Sequence, residues 1–148
     1  MNLMQPLSEN PDDFCLFDTE PRGLEGLHAE RWGDVTWSGA KRYGTSCKVT
    51  ILTWCIGEDM PVQRWWLTDF DKTLRWADAP PKLLEFMARA LKGEAWFVAW
   101  NSFFDRNVCN GGMVATSKRT ILPVRSVICA MAQGVASNLP AKLDGAAK

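Results

Sequence analysis

The chain has 148 residues with 17 basic and 17 acidic side chains, so its formal net charge is zero. That length suffices for one domain with a hydrophobic core. The balanced charge excludes a global basic field that would attract nucleic acid. Any nucleic-acid contact must therefore come from a local patch of the surface.

The cysteine pattern and the N-terminus bear on the cellular compartment. Five cysteines form an odd set without a Cys-x-x-Cys spacing, which argues against a disulfide framework and against a zinc site. Such a pattern fits a reducing cytoplasm. Residues 1–10 lack the basic stretch and apolar run of a secretion signal, and no apolar run reaches the length of a membrane span. We therefore expect a cytoplasmic protein without a membrane partner.

The first half of the chain is predicted to be mainly β-structure. Residues 1–13 are polar and are expected to form a lead-in segment before a single domain over residues 14–148. Phe14–Phe17 is apolar and is predicted as the first strand. A loop-rich segment is expected from Pro21 to about Ser38, because glycines recur along it.

A β-hairpin is predicted next. Val49–Gly57 is rich in β-branched and aromatic residues, which is typical of a strand. The sequence Gly57-Glu58-Asp59 predicts a turn, and Val62–Leu67 is predicted as the returning strand.

The second half is predicted to alternate between helix and strand. Pro80 and Pro81 predict the start of a helix, with Gly93 as its C-cap. Trp96–Trp100 is apolar and is predicted as a fourth strand.

Two helices, and the first residues of a third, are expected after that strand. Ser102 is predicted to cap a helix from Phe103 to about Asn110, which Gly111 and Gly112 end. A further helix is predicted from about Val124 to Gln133, with Gly134 closing it. Asn138 is expected to cap a last helix. The element order is then β, β-hairpin, α, β, α, α, which indicates an α/β fold.

The first motif that could take part in a reaction follows the first apolar run. Asp18 and Glu20 are two residues apart, so on an extended strand both carboxylates face the same side. Thr19 between them would point away or offer its backbone to a substrate. The tripeptide alone is a weak signal and favours two solvated acids on a surface strand, whereas the apolar run Phe14–Phe17 before it favours acids at the end of a buried strand.

The second motif follows the fourth predicted strand. Asn101 and Asp105 are four residues apart and share a face at the start of a helix, where the helix dipole favours an anion. Taken alone, the motif is equally compatible with a strand-end or capping Asn101 and a surface acid at Asp105. If Asp18, Glu20 and Asp105 converge, they form a site for hard divalent cations, as used in two-metal phosphodiester hydrolysis.

Taken in order, these motifs resemble a known family. The chain is similar to the 3′–5′ exonuclease domain of family A DNA polymerases in its phage-type form, which belongs to the DEDD exonuclease superfamily with a ribonuclease H-like fold. The matching stretches are Phe17–Glu20, Gly39–Tyr43, Ile51–Gly57, Pro61–Trp65, Ala99–Asp105 and Ser137–Asp144. The likeness covers most of the chain from Phe14 onward.

The resemblance implies a fold, a reaction and a set of site residues. The fold would be a mixed sheet, with antiparallel first strands and then a parallel strand, flanked by helices. The reaction would be removal of nucleotides from a single-stranded DNA 3′ end with Mg²⁺ or Mn²⁺ in a two-metal site. A polymerase module or a second copy of the chain would be a partner, in the host cytoplasm if the chain is phage-encoded. The implied metal ligands are Asp18, Glu20 and Asp105, and the implied substrate contacts are Thr19, Asn101 and Phe104 or Phe103.

The chain departs from the family at its last motif, a Tyr or His followed four residues later by Asp. Tyr43 and His28, the single tyrosine and histidine, both precede Asp105, and Asp144 is the only later acid. The chain would then be the front part of a longer exonuclease, or would take the missing acid from a partner, a second copy or Asp144. It could also be a catalytically inactive module that binds single-stranded nucleic acid or a partner protein. An α/β domain without any nucleic-acid role also stays open.

Overall fold

The structure is a computed structural model that describes residues 7–23, 47–69, 71–113 and 122–138. Several predicted features lie outside these residues. They are most of the expected loop up to Ser38, His28, Tyr43, Asp144 and the helix expected after Asn138.

The described chain folds as an α/β structure around a five-stranded mixed sheet, as predicted for the fold class. The strands are β1 (Phe14–Gly23), β2 (Cys47–Ile56), β3 (Gln63–Trp66), β4 (Trp96–Ala99) and β5 (Val127–Cys129). Their order in the sheet is β3-β2-β1-β4-β5. Strand β2 is antiparallel to both β1 and β3, whereas β4 is parallel to β1 and to β5. The sheet therefore begins with an antiparallel pair and continues with parallel strands.

Three α-helices flank the sheet in the described part of the chain: α1 (Pro81–Leu91), α2 (Ser102–Gly112) and α3 (Ala130–Ala136). Short 3₁₀ turns occur at Pro11–Asp13, Trp76–Asp78 and Val124–Ser126. Helix α1 begins with proline at its first position and ends before Gly93, whose φ of +79° is the left-handed value that glycine adopts at little cost. The predictions of α1, of β2 and β3 as a hairpin with its turn, and of β4 are confirmed.

The two faces of the sheet differ in burial. Along β1, Cys15, Phe17 and Thr19 are buried, and we name this side the helix face. The alternate residues Leu16, Asp18 and Glu20 are exposed, and we name their side the open face. This alternation follows from the twofold repeat of an extended strand.

The hydrophobic core lies between the helix face and helices α1 and α2. The ring of Phe97 on β4 is fully buried. Its centroid is 5.4 Å from that of Phe17 on β1 and 5.0 Å from that of Phe86 on α1, both in edge-on contacts. Aromatic pairs of this geometry favour one arrangement of the elements over others. The core therefore fixes β1, β4 and α1 relative to one another.

The first strand is longer than the sequence predicts. It continues past Phe17 to Gly23, so Asp18 and Glu20 lie within it and not at its end. Pairing with β2 carries the strand onward, and the register shifts between Glu20 and Pro21. A bulge at this point accommodates proline in a strand.

The single helix predicted from Val124 to Gln133 is wrong. The segment instead forms a 3₁₀ turn, strand β5 and helix α3, and Gly134 lies inside α3 and does not end it. Strand β5 pairs in parallel with β4 through Val127, Ile128 and Cys129. A short apolar run of this kind fits a buried strand as well as a helix, and only the free edge of β4 decides between them.

Two helix ends also differ from the predictions. Asn101, not Ser102, occupies the N-cap position of α2, and its side chain makes no capping hydrogen bond. Asn138 has a φ of 63°, and its N–H donates to the carbonyl of Val135. That conformation is typical of the residue after a helix end, so Asn138 terminates α3. The helix predicted after Asn138 lies outside the described residues.

Candidate functional site

The topology brings the two acidic motifs to the same place. Strand β4 lies beside β1 in parallel, so α2, which follows β4, begins next to the middle of β1. The pairing between the strands ends at Leu16 and Val98. The later residues of β1 therefore have no β4 partner on that side.

Asp105 on α2 takes the place of the missing strand partner. Its Oδ1 accepts a hydrogen bond from the Thr19 N–H at 3.2 Å and another from the Thr19 hydroxyl at 2.7 Å. Both residues are buried, at 4% and 5% exposed. Because 86 residues separate them, this contact is a long-range tie between the motifs. The interpretation of Asp105 as a surface acid is wrong.

Burial changes the ionisation of Asp105. Loss of solvent raises the pKa of its carboxyl from 3.8 to about 6. The hydrogen bond from the Thr19 side chain opposes this shift, whereas the negative charge of Asp18 adds to it. Carboxylates with raised pKa values occur often at functional sites, although a structural role for Asp105 at the end of the β1–β4 pairing also explains the contact.

Asp18 shares the electrostatic environment of Asp105. Partial loss of solvent around its carboxyl raises the pKa of Asp18, and the neighbouring charge of Glu20 also raises it. The Thr19 N–H lowers the pKa of Asp18, as it does that of Asp105. The two carboxylates therefore influence each other's ionisation, although Asp18 extends from the open face and Asp105 approaches Thr19 on the helix face.

Asp18, Glu20 and Asp105 carry the oxygen ligands that a divalent-cation site needs, but the three side chains do not form a complete site. Carboxylate oxygens are the ligands that Mg²⁺ and Mn²⁺ prefer. Among the residues that the structure describes, however, no three His, Cys, Asp or Glu side chains form a group that could hold a metal ion. Asp18, Glu20 and Asp105 thus form at most part of a ligand set.

The predicted substrate residues have different environments. Both donors of Thr19, its N–H and its hydroxyl, bind Asp105. Asn101 is exposed, and its carbonyl accepts the first hydrogen bonds of α2 from Phe104 and Asp105. Phe104 packs against the core, whereas the ring of Phe103 is 56% exposed. The aromatic side chain available at this surface is therefore Phe103.

The open face carries a cavity that the sequence did not predict. It has a volume of about 410 Å³, and its lining is mainly apolar, including Leu16, Val98 and Trp100 together with Asp18. In the sequence, apolar residues at alternate positions of β1 and β4 indicate an apolar patch on this face, where Leu16 and Val98 are paired. The cavity could not be located without knowing that β1 and β4 are neighbours.

Comparisons with known proteins identify no relative of this chain. No family model, curated protein or solved structure matches the chain. In the part of the chain that the structure describes, no helix combines the length and apolar character needed to cross a bilayer.

Proposed function

We propose that this chain is a metal-dependent 3′–5′ exonuclease of the DNA polymerase proofreading type, acting on single-stranded DNA 3′ ends. The observation that carries the proposal is the contact between Asp105 and Thr19. Thr19 is the residue between Asp18 and Glu20, so this contact ties the second acidic motif to the centre of the first. The proposed acidic residues are Asp18, Glu20 and Asp105.

The sheet supports the same proposal. Its antiparallel β1–β2 pair followed by the parallel strand β4 has the form implied by a ribonuclease H-like exonuclease domain. In an α/β sheet, ligands bind beyond the carboxyl ends of the parallel strands. The end of β4, where α2 begins, is the place at which Asp105 reaches β1.

The identity of residue 105 also supports a functional role. An asparagine there could accept the same two hydrogen bonds through one oxygen without placing a charge in a buried position. A buried carboxylate in its place costs stability, and costs of this kind concentrate at functional sites. A bound Mg²⁺ or Mn²⁺ would supply an activated water and charge stabilisation for phosphodiester hydrolysis. A polymerase module or a second copy would supply the missing acid.

Digestion of an oligonucleotide labelled at its 5′ end tests the proposal. Shortening from the 3′ end that requires Mg²⁺ or Mn²⁺ is the expected result. Asp18→Ala should reduce it by about 100-fold, since even residues that only orient metal ligands contribute about 10- to 100-fold. Asp78→Ala, which removes an exposed acid near α1, is the matched control and should retain full activity. Equal shortening by wild type and Asp18→Ala would contradict the proposal.

A second candidate is a catalytically inactive module that binds single-stranded nucleic acid or a partner protein. The observation favouring it is that the described carboxylates do not assemble a three-donor metal group. Quenching of tryptophan fluorescence by an oligonucleotide, without any shortening in Mn²⁺, would support this candidate over the exonuclease.

A further inference from the structure

Two rows of side chains cross the open face at right angles to the strands. Across the β1–β2–β3 pairing, Asp18 is opposite Thr53, which is opposite Arg64. In the next row, Glu20 is opposite Ile51, which is opposite Trp66. Paired residues on neighbouring strands face the same side of a sheet. Arg64 and Trp66 therefore lie on the same face as the two acids.

The distance from the two acids on β1 to Arg64 and Trp66 on β3 is suited to binding a polymeric ligand. Neighbouring strands lie about 4.8 Å apart, so two steps place the β3 residues roughly 10 Å from the β1 residues. One row thus has Arg64 at one end and the Asp18 carboxylate at the other. The second row has Trp66 at one end and the Glu20 carboxylate at the other. A ligand that contacts both ends must be extended.

Arg64 and Trp66 are both available for binding. Trp66 is 57% exposed, although it is a large apolar side chain. Arg64 is exposed as well, and it makes no ion pair or hydrogen bond with another residue in the described ranges. Neither side chain contributes to the core, since Trp65 is the β3 residue that packs against it. Within the described residues, neither side chain therefore has a structural partner that would occupy it.

We propose that single-stranded DNA crosses the open face from the acids on β1 to β3, with a base stacked on Trp66 and a phosphate bound by Arg64. The inference rests on the proposed function, because it takes the 3′ end to lie at Asp18 and Glu20. Base stacking on tryptophan is tolerant of sequence, and the guanidinium fork matches phosphate oxygens. With zero net charge in the chain, local contacts of this kind must supply the affinity.

Fluorescence anisotropy of a labelled oligothymidylate in EDTA tests the surface without any hydrolysis. Trp66→Leu should weaken binding by about tenfold, as expected for the loss of one base–aromatic stack. Arg64→Gln should weaken binding and reduce the slope of log affinity against log salt by about 0.7, which corresponds to one phosphate contact on a single strand. Arg75→Gln, an exposed arginine between β3 and α1, is the matched control and should change neither.

Each outcome of this experiment is informative. Unchanged affinity in both β3 variants, with native circular dichroism spectra, would overturn the inference, and so would failure of the wild-type chain to bind. If Trp66→Leu instead abolishes self-association of the protein, β3 is a contact between copies and the inference is also wrong. If the wild-type chain binds through Arg64 and Trp66 but never shortens DNA in Mn²⁺, the surface stands and the exonuclease proposal fails.

Discussion

At the scale of single residues, Asp105 is the most informative position. It is buried, it accepts two hydrogen bonds from Thr19, and the pKa of its carboxyl is raised to about 6. A carboxyl whose pKa is higher in the folded than in the unfolded chain binds more protons when folded. The stabilisation that comes from this extra proton binding is complete below pH 3.8, the pKa of the carboxyl in the unfolded chain. It is lost as the pH rises through about 6, the pKa in the folded chain.

The first prediction concerns Asp105→Asn. The amide keeps an oxygen acceptor for Thr19 and removes the buried charge, so we expect the variant to be more stable than wild type at pH 7 by about 1–3 kcal/mol. Urea unfolding at pH 4 and at pH 7 measures this difference, which should largely disappear at the lower pH. Asp78→Asn, at an exposed acid, is the matched control and should not gain this stability at pH 7. A variant with lower stability at pH 7 would show that the carboxylate charge itself holds the contact.

At the scale of elements, the packing of α2 on the sheet positions Asp105. Gly112, in the last turn of α2, lies against β2. A Cβ at residue 112 would be 2.9 Å from the Cys47 Sγ, 3.1 Å from the Val49 Cγ2 and 3.2 Å from the Cys47 carbonyl oxygen. The glycine therefore allows a close approach of helix to strand. The sequence predicts that Gly111 and Gly112 end this helix, and they are its last residues, but Gly112 also has this packing role.

The second prediction concerns Gly112→Ala. Alanine normally stabilises a helix interior relative to glycine, but here the added methyl group meets backbone and side-chain atoms of β2. Overpacking of this kind costs about 1–3 kcal/mol, so we expect a net loss of stability in thermal unfolding. Gly93→Asn provides the contrast, because nothing lies within 4 Å of its Cβ position and asparagine tolerates its φ of +79°. A stabilised Gly112→Ala variant would mean that α2 moves freely against β2.

At the scale of the whole molecule, the candidate site joins segments far apart in the sequence. The proposed metal ligands come from β1 and α2, and the proposed DNA surface from β1, β2 and β3. A cation that binds only when these segments are assembled stabilises the folded chain by mass action.

The third prediction is that Mn²⁺ raises the unfolding temperature of the protein. At a concentration of about 100 times its dissociation constant, the cation should add about 2.7 kcal/mol of stability, or roughly 5–10 °C for a chain of this size. Glu20→Gln should abolish the shift, and Glu58→Gln, at an exposed acid in the turn after β2, should retain it. Differential scanning fluorimetry measures all three proteins. An equal shift in wild type and Glu20→Gln would show that Mn²⁺ binds elsewhere.

The local pattern of residues determined much of the fold without any structure. The apolar runs predicted β1, β2 and β4, the turn at Gly57 predicted the hairpin with β3, and the two prolines predicted α1. The spacing of Asp18 and Glu20 likewise predicted that they share a face of a strand, as their matched exposure shows. These features depend on contacts between residues close in sequence, so short-range periodicity carries them.

Only the tertiary structure decided the features that depend on which elements are neighbours. The run Val127–Cys129 is a strand because β4 offers it a free edge, and Asp105 is buried because the end of β4 leaves the Thr19 N–H without a strand partner. Arg64 and Trp66 join the face of the acids through the register of three strands. Strand order, and the register between strands that no tight turn connects, arise from packing between residues distant in the chain, so the alternation along one strand does not determine them.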